Sequence, residues 1–139
     1  MFEKIAIANL MEIKVESYGN DQIEVFAPLD KNSNDKGTFF AGSIYSTMVL
    51  SGWALVTRIL KDRGIDAEVV IATSTIDYLK PAKDDVLVSA SPVNSTDIEK
   101  LLSSIDKKCR GKLEVKSILN SSGEVCAEFT GLYVAKLRK

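Results

Sequence analysis

A chain of 139 residues with 45% hydrophobic and 27% charged side chains is one domain's worth, and long enough to bury a real core. Its 18 basic and 19 acidic residues leave a formal net charge of −1, which makes nucleic acid a poor partner. Histidine is absent, and with it go imidazole bases, Ser-His and Cys-His nucleophile pairs and most zinc sites, so no metal is expected.

Residues 2–11 read as a short helix carrying Phe2, Ile5, Ala6, Ala8 and Leu10. Glu3 and Lys4 interrupt any apolar run there, so this is not a secretory signal, and a cytoplasmic location is expected. Residues 12–18 and 21–28 read as a strand pair: Ile13 and Val15 alternate with charged neighbours, as do Ile23 and Val25, around the turn residues Tyr18-Gly19-Asn20-Asp21. Pro28 closes the pair, and residues 30–38 form a polar loop ending at Gly37.

A long helix is predicted over residues 41–61. Ile44, Met48, Val49, Leu50, Trp53, Ala54, Leu55, Val56, Ile59 and Leu60 cover most of its circumference. A helix apolar nearly all round is buried nearly all round, which makes Trp53 a core residue. Phe39 to Thr57 carries no charge, the length of a membrane span. The period-2 strands that follow need a buried helix to pack on, so no membrane is expected. Gly64 supplies the stop.

Strands follow at residues 67–79, 85–91, 112–120 and 124–137, the last two as a hairpin about Ser121-Ser122-Gly123. Alternation puts Val125, Ala127, Phe129, Gly131, Tyr133, Ala135 and Leu137 on one face of the last strand, and Cys126 with Glu124, Glu128 and Thr130 on the other. One-to-one pairing sets Cys126 opposite about residue 119 and Cys109 opposite about residue 136, too far apart for a disulfide. Thr96-x-x-Glu99 reads as a capping box opening an amphipathic helix over residues 97–107.

This order is α+β: one long helix wrapped by a curved antiparallel β-sheet, residues 1–139 forming a single domain. One sheet covers only part of such a helix. A second subunit is expected on the sheet edge or the free flank, giving a homodimer or a dimer of dimers.

The segment Asn34-Asp35-Lys36-Gly37-Thr38-Phe39-Phe40-Ala41-Gly42-Ser43, running into Ser51-Gly52-Trp53-Ala54-Leu55, resembles the thioesterase family typified by the C-terminal domain of YiiD. More distantly it is similar to the phenylacetate-pathway hotdog thioesterases, whose motif is an Asn, a glycine three residues later, then His-Gly-Gly opening the helix. Tyr78-Leu79-Lys80-Pro81-Ala82 also resembles a hotdog strand end. The resemblance implies a hotdog fold and hydrolysis of acyl thioesters carried by coenzyme A or an acyl-carrier protein, with coenzyme A part of the substrate and no separate cofactor. Departures accompany it. Phe40 stands where the phenylacetate-type enzymes carry histidine and Ala41 where they carry the first glycine. Their helix carboxylate falls near Val49, and no Asp or Glu lies between Gly37 and Lys61.

Thioester hydrolysis needs a deprotonated water, donors for the developing oxyanion and a dry acyl slot. The unpaired N–H groups at the start of the long helix, around Gly42 and Ser43, are the expected oxyanion donors; Gly42 could equally relieve crowding. Asp35 is the expected base and Asn34 the group holding water or carbonyl, though both are ordinary turn residues. Ser46 and Thr47 are candidates for orienting water or substrate, or for bonding back to the preceding turn. Phe39 and Phe40 are expected acyl-pocket walls, with Tyr78 and Lys80 as further substrate contacts. Lys80, Lys83, Arg58, Arg110 and Lys112 are candidates for coenzyme A phosphates or an acidic carrier, or are solvated charges. The competing reading is a non-catalytic acyl-thioester binding protein, kept open by the missing helix carboxylate. A hotdog dehydratase is excluded for want of a histidine.

Overall fold

The computed structural model describes residues 1–138. Its elements run α1 (Ala6–Leu10), β1 (Lys14–Gly19), β2 (Gln22–Ala27), α2 (Ala41–Lys61), β3 (Ala67–Tyr78), β4 (Val86–Pro92), α3 (Asp97–Lys108), β5 (Arg110–Ser121) and β6 (Glu124–Leu137). The strands form one sheet in the order β1-β2-β4-β5-β6-β3, and every neighbouring pair is antiparallel. The sheet curls so that β2, β3, β4, β5 and β6 all touch α2. This is the expected hotdog arrangement, helix inside and sheet outside.

The apolar residues of α2 explain its place. Ile44, Met48, Ala54, Leu55, Val56, Ile59 and Leu60 are buried against Val25, Val88, Val115, Leu119, Phe129 and Tyr133 of the strands. Although α2 is long and apolar enough to cross a membrane by length and composition, its buried side chains belong to the same core as the sheet. Its end is a Schellman turn: Gly64 adopts φ +73, its N–H donates to Lys61 O, and Ile65 N–H donates to Leu60 O.

Four expectations change in the structure. The first helix spans only Ala6–Leu10, because Ile5 is extended at φ −104, ψ 100 and Phe2 turns inward to pack on Trp53 at 6.2 Å between ring centroids. The capping box does not form. Thr96 is itself helical at φ −65, ψ −20 with no side-chain cap bond, and the preceding turn supplies Asn94 O and Ser95 O to the N–H groups of Asp97 and Ile98. On β6, the register shifts at Leu119/Asn120. This bulge turns Val125 outward to 40% exposure and Cys126 inward to 2%, reversing the predicted faces at that end. Cys126 and Cys109 remain apart as free thiols, with burial pushing the Cys126 thiol up from its ordinary pKa.

Trp53 is the fourth. It is half-buried rather than enclosed, so truncation to Ala is expected to remove about 2 kcal/mol, below the ~3–5 typical of an enclosed aromatic. Thermal melts of the variant and the wild type measure this. A Tm unchanged within error would mean that the Phe2–Trp53 contact contributes nothing.

Candidate active site

The segment entering α2 is built around two asparagines. Asn34 closes the loop on itself. Its Oδ1 accepts from the N–H groups of Lys36 at 2.8 Å and Thr38 at 3.1 Å, and its Nδ2 donates to Thr38 Oγ1 at 2.8 Å. Gly37 completes the turn at φ +77, a conformation that favours glycine. Asn32 ties the loop to the body. Its Nδ2 donates to Met11 O at 3.0 Å and to Pro28 O at 2.8 Å, and its carbonyl receives Phe40 N–H at 2.7 Å. Its side chain is 3% exposed, and its Oδ1 is buried without a partner. Sequence reasoning passed over Asn32 as one polar loop residue among several. No signal distinguishes it, because its partners are backbone groups of Met11, Pro28 and Phe40 that only the folded loop brings to it.

Phe40 is the N-cap of α2 at φ −63, ψ 133 and makes no side-chain cap bond. The first return bond of the helix is Ile44 N–H to Phe40 O at 3.0 Å. Among the described residues, the N–H groups of Ala41, Gly42 and Ser43 meet no acceptor. They carry the positive end of a 21-residue helix with no acid in its first turn, a ready acceptor site for developing negative charge.

Two recesses flank this helix end. One, about 380 Å³, lies between α1 and α2 and brings Gly42, Ser43, Ser46 and Phe40 together with Asn32 and Lys31. The other, about 330 Å³, lies on the β3 side and brings Asn34, Phe39, Tyr78 and Lys80 together with Thr38 and Ile44. Eight of the predicted residues are therefore gathered at one end of α2 but divided between its two sides, while Asp35 and Thr47 line neither recess. Phe39 is almost enclosed at 3% exposure, whereas Phe40 is 54% exposed. The Phe40 ring lies over Gly42, where a Cβ would meet it at 2.4 Å; the atom met is the tip of an exposed ring with room to swing.

The hydroxyls divide as well. Thr47 is fully buried and donates to Ser43 O at 2.7 Å, and Ser51 repeats this to Thr47 O at 2.6 Å. Both serve the helix backbone. Tyr78 Oη donates to Ala41 O at 3.3 Å, and burial, the larger cause, with the nearby Tyr45 holds its phenol above the ordinary value. Lys80 pairs with Glu124 at 3.8 Å on the surface. Asp35 is at the loop tip, its side chain 83% exposed and paired only with Lys36 at 3.2 Å. No Asp or Glu lines either recess.

Deeper in, Tyr133 locks α2 onto the sheet. Its Oη donates to Val49 O at 2.6 Å, burial pushes its pKa well above the ordinary tyrosine value, and its ring fills the space beside Gly52. In the sequence Gly52 stood out only within the segment Ser51-Gly52-Trp53-Ala54-Leu55; its partner lies 81 positions further along the chain.

Known proteins share this fold. A structure from Shewanella oneidensis, described as a "putative thioesterase", is 32% identical and superposes with a TM-score of 0.86 over 97% of this chain and 90% of that one. A Chlorobaculum tepidum protein of unknown function, 20% identical, superposes at 0.92 over 98% of this chain and 89% of that one. A thioesterase from Haemophilus influenzae, 18% identical, does so at 0.77 over 99% and 87%; the last two speak for the fold alone. The family model described as "Putative thioesterase (yiiD_Cterm)" matches residues 1–137, and the chain belongs to that thioesterase family.

Proposed function

We propose that this protein hydrolyses acyl thioesters of coenzyme A or of an acyl-carrier protein at the N-terminus of α2. The observation that carries this reading is the set of open N–H groups at Ala41, Gly42 and Ser43 between two recesses. The thioester oxygen sits on those groups, which strengthen their hold as it gains charge. A water adds to the carbonyl carbon and gives its proton to Asp35 of the loop that enters the helix. The carbon–sulfur bond then breaks, the proton passes to the departing thiolate, and a carboxylic acid and a thiol leave. Ser43 and Ser46 orient the water, and Lys80 faces the carrier's phosphates. The two free thiols are in keeping with the reducing cytoplasm as its location.

The site in this reading lies between two subunits. β3 is a 12-residue edge strand that exposes Val70 and ends beside Tyr78 and Leu79, each about half exposed. Tyr45, Val49 and Leu50 are left half-buried on α2. An uncovered edge of that length invites pairing. Light scattering is expected to give twice the monomer mass or a multiple of it at micromolar concentration; a monomer would overturn this part of the proposal.

A second reading, an acyl-thioester binding protein without turnover, is favoured by the lack of a carboxylate lining either recess. Thiol release from a panel of acyl-CoAs, run beside thermal shift with the same compounds, separates the two. Hydrolysis predicts release from at least one acyl-CoA; stabilisation with no release selects the binder.

A further inference from the structure

A groove of about 740 Å³, larger than either recess at the helix end, lies between α3 and the exposed side of β5 and β6. Lys100, Ser104 and Lys108 line it from α3, four residues apart and so on one helix face. Arg110, Lys112 and Glu114 line it from β5, at alternate positions that share one side of the strand. The half-buried Leu132 and Val134 of β6 form its floor. Val70, opposite Val134 and 52% exposed, carries that apolar strip on to β3. An exposed apolar strip rimmed by charge marks a surface that a partner covers.

The rim is cationic. With Asp97, the groove holds four cations against two carboxylates, in a chain whose formal net charge is −1. Lys100 is paired with Asp97 at 3.4 Å. Among the described residues, Lys108, Arg110 and Lys112 make no ion pair. The helix-end site is the reverse: Lys31 and Lys80, the cations lining its two recesses, are paired with Glu12 and Glu124. An acidic partner is therefore drawn to the groove and not to the mouth of the site.

Resting on the thioester reading above, we infer that the α3–β5 groove docks an acidic amphipathic helix of an acyl-carrier protein that presents the acyl chain. The floor takes the helix's aliphatic stripe, and the cations on both walls take its carboxylates. The nucleotide of coenzyme A is as negative but fits less well. None of the residues lining the groove is aromatic, so a purine finds no ring to stack on. The cations do not converge as a phosphate clamp either; Lys100 and Lys108 stand roughly 12 Å apart along α3. Leu132 is five residues along β6 from Ala127, the register partner of Tyr78, or roughly 17 Å at the rise of a strand. That gap is left to the carrier's extended phosphopantetheine arm.

The test titrates a labelled apo acyl-carrier protein, which has neither arm nor acyl chain, into wild type, the double variant Arg110→Glu/Lys112→Glu and Lys14→Glu, read by fluorescence anisotropy. Arg110 and Lys112 are exposed, so the double variant keeps its fold, as a melting curve checks. Lys14, exposed on β1, controls for reversing a charge elsewhere. Wild type is expected to bind, with an affinity that falls as salt rises. The double variant is expected to bind about tenfold or more weakly, and Lys14→Glu as wild type does. No binding by wild type, binding that the double variant leaves intact, or displacement of the carrier by free coenzyme A overturns the groove assignment. Thiol release from acyl-CoA, measured on the same preparation, tests the thioester reading separately. Release without docking overturns the groove alone; docking without release upholds the groove and overturns the hydrolysis.

Discussion

Replacing Asp35 by Asn is expected to lower kcat for acyl-CoA hydrolysis by ~10²–10⁴-fold, the range typical of losing a positioned general base. The argument is partly one of exclusion. The chain has no histidine and no acid anywhere on α2, and neither recess at the helix end is lined by a carboxylate. Asp35 belongs to the loop that enters the helix, next to Asn34, and its carboxylate meets only Lys36. The substitution changes neither size nor backbone, and the side chain is 83% exposed, so circular dichroism should be unaltered. Asn34→Ala is the companion. It removes both of the amide's roles in closing the loop and is expected to lower activity through a loosened helix entry. Wild-type turnover by Asp35→Asn would reduce Asp35 to a turn residue, and the base would have to be sought across the dimer, with Asp77 and Glu68 of β3 as the next candidates.

Gly52→Ala is expected to destabilise the fold by about 2–3 kcal/mol. A Cβ there would be 2.2 Å from Tyr133 Oη and 2.4 Å from Cζ, inside any real contact distance. Tyr133 has no way to yield. It is fully buried, and its strand is paired on both sides, to Ile71 and to Leu113. Overpacking of this kind is worth ~1–3 kcal/mol, and losing the 2.6 Å bond to Val49 O adds ~0.5–1.5. The better helix propensity of Ala returns up to ~1. For a chain of this length the result is a Tm lower by roughly 5–10 °C. Adding Tyr133→Phe removes the nearest of the atoms that the new Cβ strikes, though the ring carbons Cζ and Cε1 at 2.4 and 2.5 Å stay, and the bond to Val49 O can be lost only once, so the double variant should be more stable than the sum of the single effects. Additive losses would mean that Gly52 and Tyr133 do not interlock.

These two residues show where a sequence can and cannot be read. The long helix was legible to the residue, Ala41–Lys61, because apolar side chains run around most of its circumference and a polar loop and Gly64 bound it. The strands were legible from alternation, and the hotdog wrapping followed from a buried helix needing a sheet. What depended on pairing across the chain was not legible. The bulge that turns Val125 out and Cys126 in is a property of how β5 and β6 match, and alternation along one strand says nothing of it. The capping box at Thr96 looked complete in sequence, yet the backbone of the preceding turn took its place. At the site, Asn34, Gly42, Ser43 and Tyr78 were picked from the motif and do gather at one end of α2. Their division between two flanks could not be foreseen, nor the role of Asn32, which only the fold brings beside Met11 O.

The central claim is water attack on an acyl thioester. A single-turnover reaction in H₂¹⁸O, with the protein in excess over octanoyl-CoA and the products read by mass spectrometry, tests it most directly. Hydrolysis predicts stoichiometric free CoA and octanoate carrying one ¹⁸O, at a rate that rises with protein concentration until saturation. Octanoyl-CoA recovered intact, at the rate of the protein-free control, would contradict the account.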